Sequence, residues 1–551
     1  VSDSTTVADR DDRFGSDRRS PEEPPTPRVG IPRRGDVATA LSGRPLQVRT
    51  LPLLAAVAAL VLVTAGCTSS DSSDTTGTPD ADATVTVGLV LEPTDLDIRR
   101  TAGIALDQVL IDNVYQGLVG RTQDNEIVDV LAASHTVSSD GLTYTFTLAD
   151  GVTFHDGAAL TADDVVWSLQ QVADDDTLAN HSDLAAVDTI SSPDPSTVVL
   201  TLSQPDSALL FALTGRAGLV LQEDADNDLS TSANGTGPFT LASWTQGDNL
   251  QLSRYDDYWG SPASVAGVVF RYIPDASARM NASISGDIDV QTAVDATLRS
   301  QLDGVDGITV DEGRTTDKYT LAFNNAVAPF TDPRVRKAIR LAVDNDALIT
   351  ATGGSAVDQG GPIPELDPGY ADLTSVDAYD PDAARELLDE AGQSDLDLTL
   401  EYANVYPAAI GDVLTTQLAA VGITLTVEQV DFSTWLSDVF VAPSDGSTRD
   451  FQLSMVNHAE THDFGNWANP DYYWGYDSPD VQALYADSLA ATDPAEAAAD
   501  LAEAAEIVSE DAPAEWLYTS TTLTAVRDGV TGFPTSSTTT RLDLSSLAAT
   551  E

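Results

Sequence analysis

The sequence predicts an α/β protein. Short stretches of strict apolar alternation, amphipathic stretches with helix caps between them, and no internal repeat across 551 residues point to mixed sheets and helices. The stretch 84–90 alternates as a strand and ends in the turn-rich loop 92–97. From Ala105 to Gly117 the pattern is helical, with Leu106, Val109, Leu110 and Val114 on one face. A period-two strand over 141–148 follows a turn at Asp140 and Gly141, and 151–157 reads as a second short strand and turn. Thr161 then caps a helix whose first turn carries Asp163 and Asp164, acids that suit the positive end of the helix dipole. Asp332 and Pro333 open another helix, turning Val335, Ile339 and Ala342 inward and leaving Arg336, Lys337 and Arg340 solvated or paired with acids. A strand at 400–404 runs into a loop, Pro407 opens a helix over 408–421, and 451–456 and 514–518 read as strands.

Charge excludes whole classes of function. Against 27 Lys and Arg stand 87 Asp and Glu, a net charge of −60. Such a chain repels phosphate backbones, which excludes a nucleic-acid partner and disfavours anionic lipid surfaces. At 42% hydrophobic residues it can bury a core, so a wholly disordered chain is excluded too. Lys318 and Lys337 are its only lysines.

The single cysteine cannot form an internal disulfide or a thiolate zinc cluster. Its position is more informative than its number. Cys67 closes an uncharged run, 51–66, that follows Arg49, giving a basic flank, an apolar centre and small residues before a cleavage point. Thr64, Ala65, Gly66 and Cys67 resemble a bacterial lipobox, in which the thiol is acylated and the cysteine becomes the new N-terminus. Residues 1–66 are therefore expected to be an N-terminal extension and lipoprotein signal peptide. Residues 67–83, rich in Ser, Thr, Asp and Gly, are expected to be a flexible tether.

Several stretches of the remaining chain match a known family, in family order. They include 115–119, 139–148, 154–157 and 160–165; Gly235-Thr236-Gly237-Pro238-Phe239 with Tyr258-Trp259-Gly260; and Ser285-Gly286-Asp287-Ile288-Asp289. Phe323-Asn324-Asn325, 329–339, Ala342-Val343-Asp344 and 379–392 continue the series. From about 84 to about 533 the chain resembles the extracellular solute-binding proteins of peptide and nickel ABC importers, family 5. The resemblance implies a two-lobed, type II periplasmic-binding-protein-like α/β fold with an extra subdomain on the first lobe. Carried over, the first lobe takes 84–120, 231–312 and 514–551, the subdomain 121–230, and the second lobe 313–513. It also implies a substrate-binding component that captures di- or oligopeptides in an interlobe cleft and delivers them to a permease. A monomer without cofactor, lipid-anchored on the extracytoplasmic face of the cell membrane, is expected. Its partners are then the solute, the permease subunits and the membrane.

A cleft needs polar groups that orient the ligand, aromatic walls and a charge opposite each ligand charge. Asn404 and Tyr406 fall just before the helix opened by Pro407, where relatives place ligand-lining residues. Trp435 resembles a pocket-lining aromatic of peptide binders and reads equally well as a core residue. After the strand 451–456, the stretch 457–467 brings Asn457, His458, Glu460, Asp463 and Trp467. Relatives carry there an acid that pairs with the peptide amine, and spacing leaves Glu460 and Asp463 both open. Gly103 and Ile104 complete the ligand-binding candidates. No metal is expected; the alternative is a site from His458, Glu460 and His462, which share one face if the stretch stays extended.

Two other readings stand beside peptide capture. A metal chelate, sugar or opine would suit the same fold. A secreted hydrolase would need a nucleophile, base and orienting acid, for which His135 or His155 could be enlisted. No Gly-x-Ser-x-Gly elbow, His-Glu-x-x-His helix or phosphate-binding glycine loop occurs, and His155 beside a turn at Asp156 and Gly157 suits local hydrogen bonding better.

Overall fold

Two large sheets, a four-stranded sheet and two two-stranded ribbons organise the described residues. The computed structural model describes residues 80–101, 103–444, 448–536 and 541–550; Cys67, the apolar run before it and most of the tether lie outside the described residues. The seven-stranded first sheet is built around Thr84–Leu89, which pairs in parallel with Gly267–Tyr272 on one side and Val290–Gln291 on the other. Val85, Val87 and Leu89 are buried, as the alternation requires. Asn249–Arg254 and Phe239–Thr245 extend the sheet one way, Thr522–Arg527 and Ile308–Gly313 the other. The second sheet runs Ala356–Val357, Ala514–Ser520, Lys318–Phe323, Leu453–His458, Leu396–Ala403, Ile423–Val430. The third is antiparallel, ordered Ala132–Val137, Thr143–Leu148, Thr197–Leu202, Val187–Asp194, and shares a core with the helix Ala162–Asp174.

The chain crosses between the large sheets twice, side by side. It leaves the first at Gly313 and enters the second at Lys318; it returns between Ser520 and Thr522. The crossings are tied together, since Ser520 N–H donates to the Asp317 carbonyl at 2.9 Å. Two adjacent connections of this kind make a hinge.

Several expected elements have clear physical reasons. Thr161 closes a capping box with Asp164, each side chain bonding the other's backbone N–H. Asp332 caps the helix Pro333–Ala342, with proline at the first turn. The glycines of 235–239 are required by close approach: a Cβ on Gly235 would lie 1.9 Å from the Val114 carbonyl oxygen, and one on Gly237 2.4 Å from that of Asn113.

Three expectations need correction, and one open alternative is decided. The helix from Ala105 ends at Leu110, because Ile111 is extended and Asp112 takes a left-handed φ of 66°. Asn113 finds a tertiary partner instead, donating to the Leu542 carbonyl at 2.6 Å and accepting from Leu544 N–H at 3.1 Å. In the stretch 151–157 the turn forms, Gly157 N–H donating to the Phe154 carbonyl at 2.9 Å, but the strand is reduced to an isolated bridge between Thr153 and Ala159. The strand expected at 514–518 belongs to the second sheet, beside Lys318–Phe323, so the chain returns to the first sheet only at Thr522. Arg340 is buried and pairs with Glu515 at 2.8 Å and Asp377 at 3.4 Å, the acid-paired alternative and not the solvated one.

Candidate functional site

Three parallel neighbours in the second sheet, Leu396–Ala403, Ile423–Val430 and Leu453–His458, end at the same edge, and the antiparallel strand Lys318–Phe323 begins there. Strand order alone therefore gathers Asn404, Tyr406, Asn457, His458 and Lys318 at the rim next to the hinge. In open α/β sheets this carboxyl edge is the usual ligand crevice.

One face of this edge holds a buried ion pair. Lys318 Nζ lies 3.0 Å from Asp463 and donates to the Glu460 carbonyl at 3.1 Å, with the Lys318 and Asp463 side chains only 3% and 8% exposed. Burial by itself would lower the ammonium, but Asp463 and then Asp367 outweigh it and hold Lys318 above its ordinary value. Burial pushes Asp367 up to about 6 despite Lys318. His458 is lowered by burial, with a ring nitrogen 3.1 Å from the Tyr473 hydroxyl and the other 3.9 Å from Asp463. Lys318 and Asp463 thus neutralise one another in a water-poor place, with Asp367 and the His458 imidazole beside them, and such pairing is how buried charge is tolerated.

Residues of the small sheet's side close over this edge. The Phe211 and His462 rings stack with centroids 3.6 Å apart, and the Arg121 guanidinium lies over Phe211 at 4.5 Å. Arg121 also donates to Thr461 Oγ1 at 3.4 Å, and Asn125 to Asp367 at 3.0 Å. His462 N–H donates to Asp367 at 2.8 Å, while burial, and next Arg121, lower its ring to about 3. Arg314 in the first crossing bridges Asp124 and Glu365. Farther out, Ser207 bonds the Ser488 and Leu489 carbonyls, both at 2.9 Å. The described conformation has its two sides in contact.

The candidate residues separate into groups. Asn404 is exposed and donates to Asp431 at 3.2 Å; Tyr406 packs edge-on to Tyr319 and Trp435; Asn457 pairs with Tyr319 in register. Glu460 keeps an exposed carboxylate, whereas Asp463 is committed to Lys318. Trp435 is 2% exposed and donates to Ser454 Oγ at 3.0 Å; Trp467 stacks on Trp474 at 3.8 Å. Both tryptophans belong to the buried aromatic cluster behind the sheet edge. Gly103 and Ile104 sit in the first lobe, in a bend leading into the helix Ala105–Leu110, with the Gly103 carbonyl held by Arg216 at 2.5 Å.

The metal alternative changes membership. His458, Glu460 and Asp463 come within reach of one another, but His462 does not join them: its φ of 54° breaks the extended alternation and its ring goes to Phe211. Lys318, bonded to Asp463 and to the Glu460 carbonyl, already supplies a cation there. The two histidines considered for hydrolysis have other work. His155 bonds the backbone of Gly235 and Gly237, and His135 pairs with Asp129 at 2.6 Å.

Lys318, Asp317, Asp367, Arg121, Asn125 and Phe211 were not singled out from sequence. A lysine opening an alternating strand, in a chain with two lysines, was the one visible signal. Asp463, its partner, is remote in sequence and invisible to periodicity.

The model of the bacterial extracellular solute-binding proteins, family 5, middle part, matches residues 126–465, more than half of the chain. The chain is 28% identical over 477 residues to the glutathione-binding protein GsiB of Pectobacterium atrosepticum, covering 82% of this chain and 91% of that one. Among solved structures it resembles the ABC transporter substrate-binding protein CtaP of Listeria monocytogenes, with a TM-score of 0.75, 22% identity, and 86% and 100% of the two chains covered. The oligopeptide-binding protein AppA of Bacillus subtilis, solved with a nonapeptide, gives a TM-score of 0.66 at 20% identity, with 86% and 100% covered. The fold is the two-lobed one these structures share.

Proposed function

We propose a short peptide as the cargo of this chain, which belongs to the bacterial extracellular solute-binding proteins of family 5 and is the substrate-binding component of an ABC importer. The observation that carries the reading is the second sheet's carboxyl edge, where backbone ends, Tyr319, Tyr406 and an exposed acid gather beside a loop, at Thr461 and His462, on which Arg121 and Phe211 close. Extended peptides bind by backbone pairing, and a carboxylate suits their free amine. GsiB is named for glutathione and AppA holds a nonapeptide, which supports peptide chemistry for this cleft.

A ligand that touches both lobes only when they meet favours the closed state by its differential affinity, so capture and closure are one event. A net charge of −60 draws cationic cargo and slows anionic cargo, leaving neutral cargo unaffected. Acylation of Cys67 would hold the body at the membrane while 67–83 let it reach the permease. Among the described residues no helix is long and apolar enough to cross a membrane.

Thermal unfolding with unblocked di- to nonapeptides, glutathione, sugars and nickel chelates tests the cargo class. At a hundredfold excess over Kd a bound ligand adds about 2.7 kcal/mol, a readily measured shift. Stabilisation by peptides supports the reading; stabilisation by sugars or nickel chelates alone contradicts it.

A further inference from the structure

The hairpin that pairs Val119–Arg121 with Ile127–Asp129 has an exposed outer strand and a buried tip: all of Ile127–Asp129 is exposed, whereas Asn125 in the turn is only 6% exposed. The turn is tight. Asn125 N–H donates to the Thr122 carbonyl at 3.1 Å, and Asn125 takes a left-handed φ of 65°, which asparagine adopts more readily than most residues. This backbone sends the side chain into the second lobe. The Asn125 amide group donates to the Leu366 carbonyl at 3.1 Å and to Asp367 at 3.0 Å, while its oxygen accepts from Arg121 at 2.9 Å. Arg121 in turn donates to Thr461, and Asp124 accepts from Arg314 of the first crossing.

Two further contacts join the same bodies. The Phe211 ring stacks on His462, and Ser207 gives its N–H to the Leu489 carbonyl and its hydroxyl to that of Ser488. On one side all of these residues belong to the small-sheet region, which is fastened to the first lobe. Arg216 pairs with Asp107, and Arg541 binds both Asp112 at 2.7 Å and the Thr214 carbonyl at 2.6 Å. A pull on the hairpin is therefore a pull on the first lobe. In each contact across the seam both partners are groups of the chain itself, and polar groups that bury one another's bonds favour the state that pairs them. We propose that the hairpin 119–129 is a latch: Arg121, Asn125 and Phe211, with Asp367, Thr461 and His462 opposite, hold the lobes together before cargo arrives. They are positioning residues for capture, independent of whether the cargo is a peptide. Raising the closed fraction in this way tightens apparent binding, while solute enters only when the latch parts.

Hydrogen exchange on the full chain, stripped of solute by unfolding in urea and refolding, tests the latch with no ligand present. The Ser207 amide bonds across the seam and lies outside the hairpin, so its exchange reads closure. In the wild type it should exchange about tenfold or more slower than in an unfolded chain. The double variant Asn125→Gly with His462→Asn keeps residues that suit a left-handed backbone and deletes the tip's bonds and the ring stack. Its Ser207 amide should exchange about tenfold to hundredfold faster than in the wild type, the worth of the deleted bonds. The strands Thr143–Leu148 and Thr197–Leu202 should stay protected, showing that the small sheet is intact. If they do not, Asn125→Gly alone is read in the same way. Wild-type protection of Ser207 below about tenfold overturns the latch without any variant. So does a variant with an intact small sheet that keeps the wild-type rate at Ser207. Neither result touches the peptide reading, which titration with peptides decides separately.

Discussion

Replacing Lys318 by methionine keeps an apolar stem of similar length and deletes the charge. In the native protein the ammonium lies 3.0 Å from Asp463, with the two side chains 3% and 8% exposed. At that separation an effective dielectric near 20 gives an attraction of about 5 kcal/mol. The desolvation of Asp463 does not disappear with the lysine, so the variant retains a stranded carboxylate whose nearest cationic candidate is His458 at 3.9 Å, kept neutral by burial. Breaking a buried pair in this way costs about 3–5 kcal/mol. Urea unfolding at pH 7, followed by tryptophan fluorescence, should show that loss. The double variant Lys318→Met with Asp463→Leu should recover most of it, since replacing both charges by apolar groups is nearly neutral. A loss below about 1 kcal/mol, or a double variant no better than the single one, would refute the buried pair.

Further outcomes follow from the same structure. His462 is held near 3 by burial, facing Asp367, Arg121 and Lys318, so its contribution is full above its unfolded value near 6.5 and is lost as pH falls toward 3. His462→Gln should flatten the decline in urea midpoint between pH 6.5 and 4, and an unchanged slope contradicts this. Thr161→Ala removes the capping box at Asp164 and should cost about 1 kcal/mol, with Thr161→Ser close to wild type in the same assay. Association of a cationic peptide, measured by stopped flow, should slow as salt rises because the −60 charge is screened, while a neutral peptide should hardly respond.

Much of the fold was legible because it is set by local rules. The strand at Thr84–Leu89, the capped helix Ala162–Asp174 and the Pro333 helix each follow from alternation or capping within a few residues. What sequence misjudged depends on distant partners. The helix from Ala105 stops early because Asn113 bonds residues 542 and 544. For Arg340 the sequence left solvation and acid pairing both open, and only the fold brings Glu515 to it. The strand Ala514–Ser520 carries nothing local that tells which sheet it joins. In the site, the family resemblance brought out Asn457, His458, Glu460 and Asp463, but not that Lys318 already occupies Asp463, nor that Asp317 beside it is left with an unpaired oxygen. Reading the stretch 457–463 as extended failed at His462, where a left-handed residue turns the ring toward Phe211.

A crystal structure of the protein with an unblocked peptide bears most directly on the account. The peptide should lie between the carboxyl edge that carries Tyr406 and Asn457 and the surface of Arg121, Asn125 and Phe211, with the Lys318–Asp463 pair intact. A ligand bound outside that crevice, or one that touches a single lobe, would contradict it.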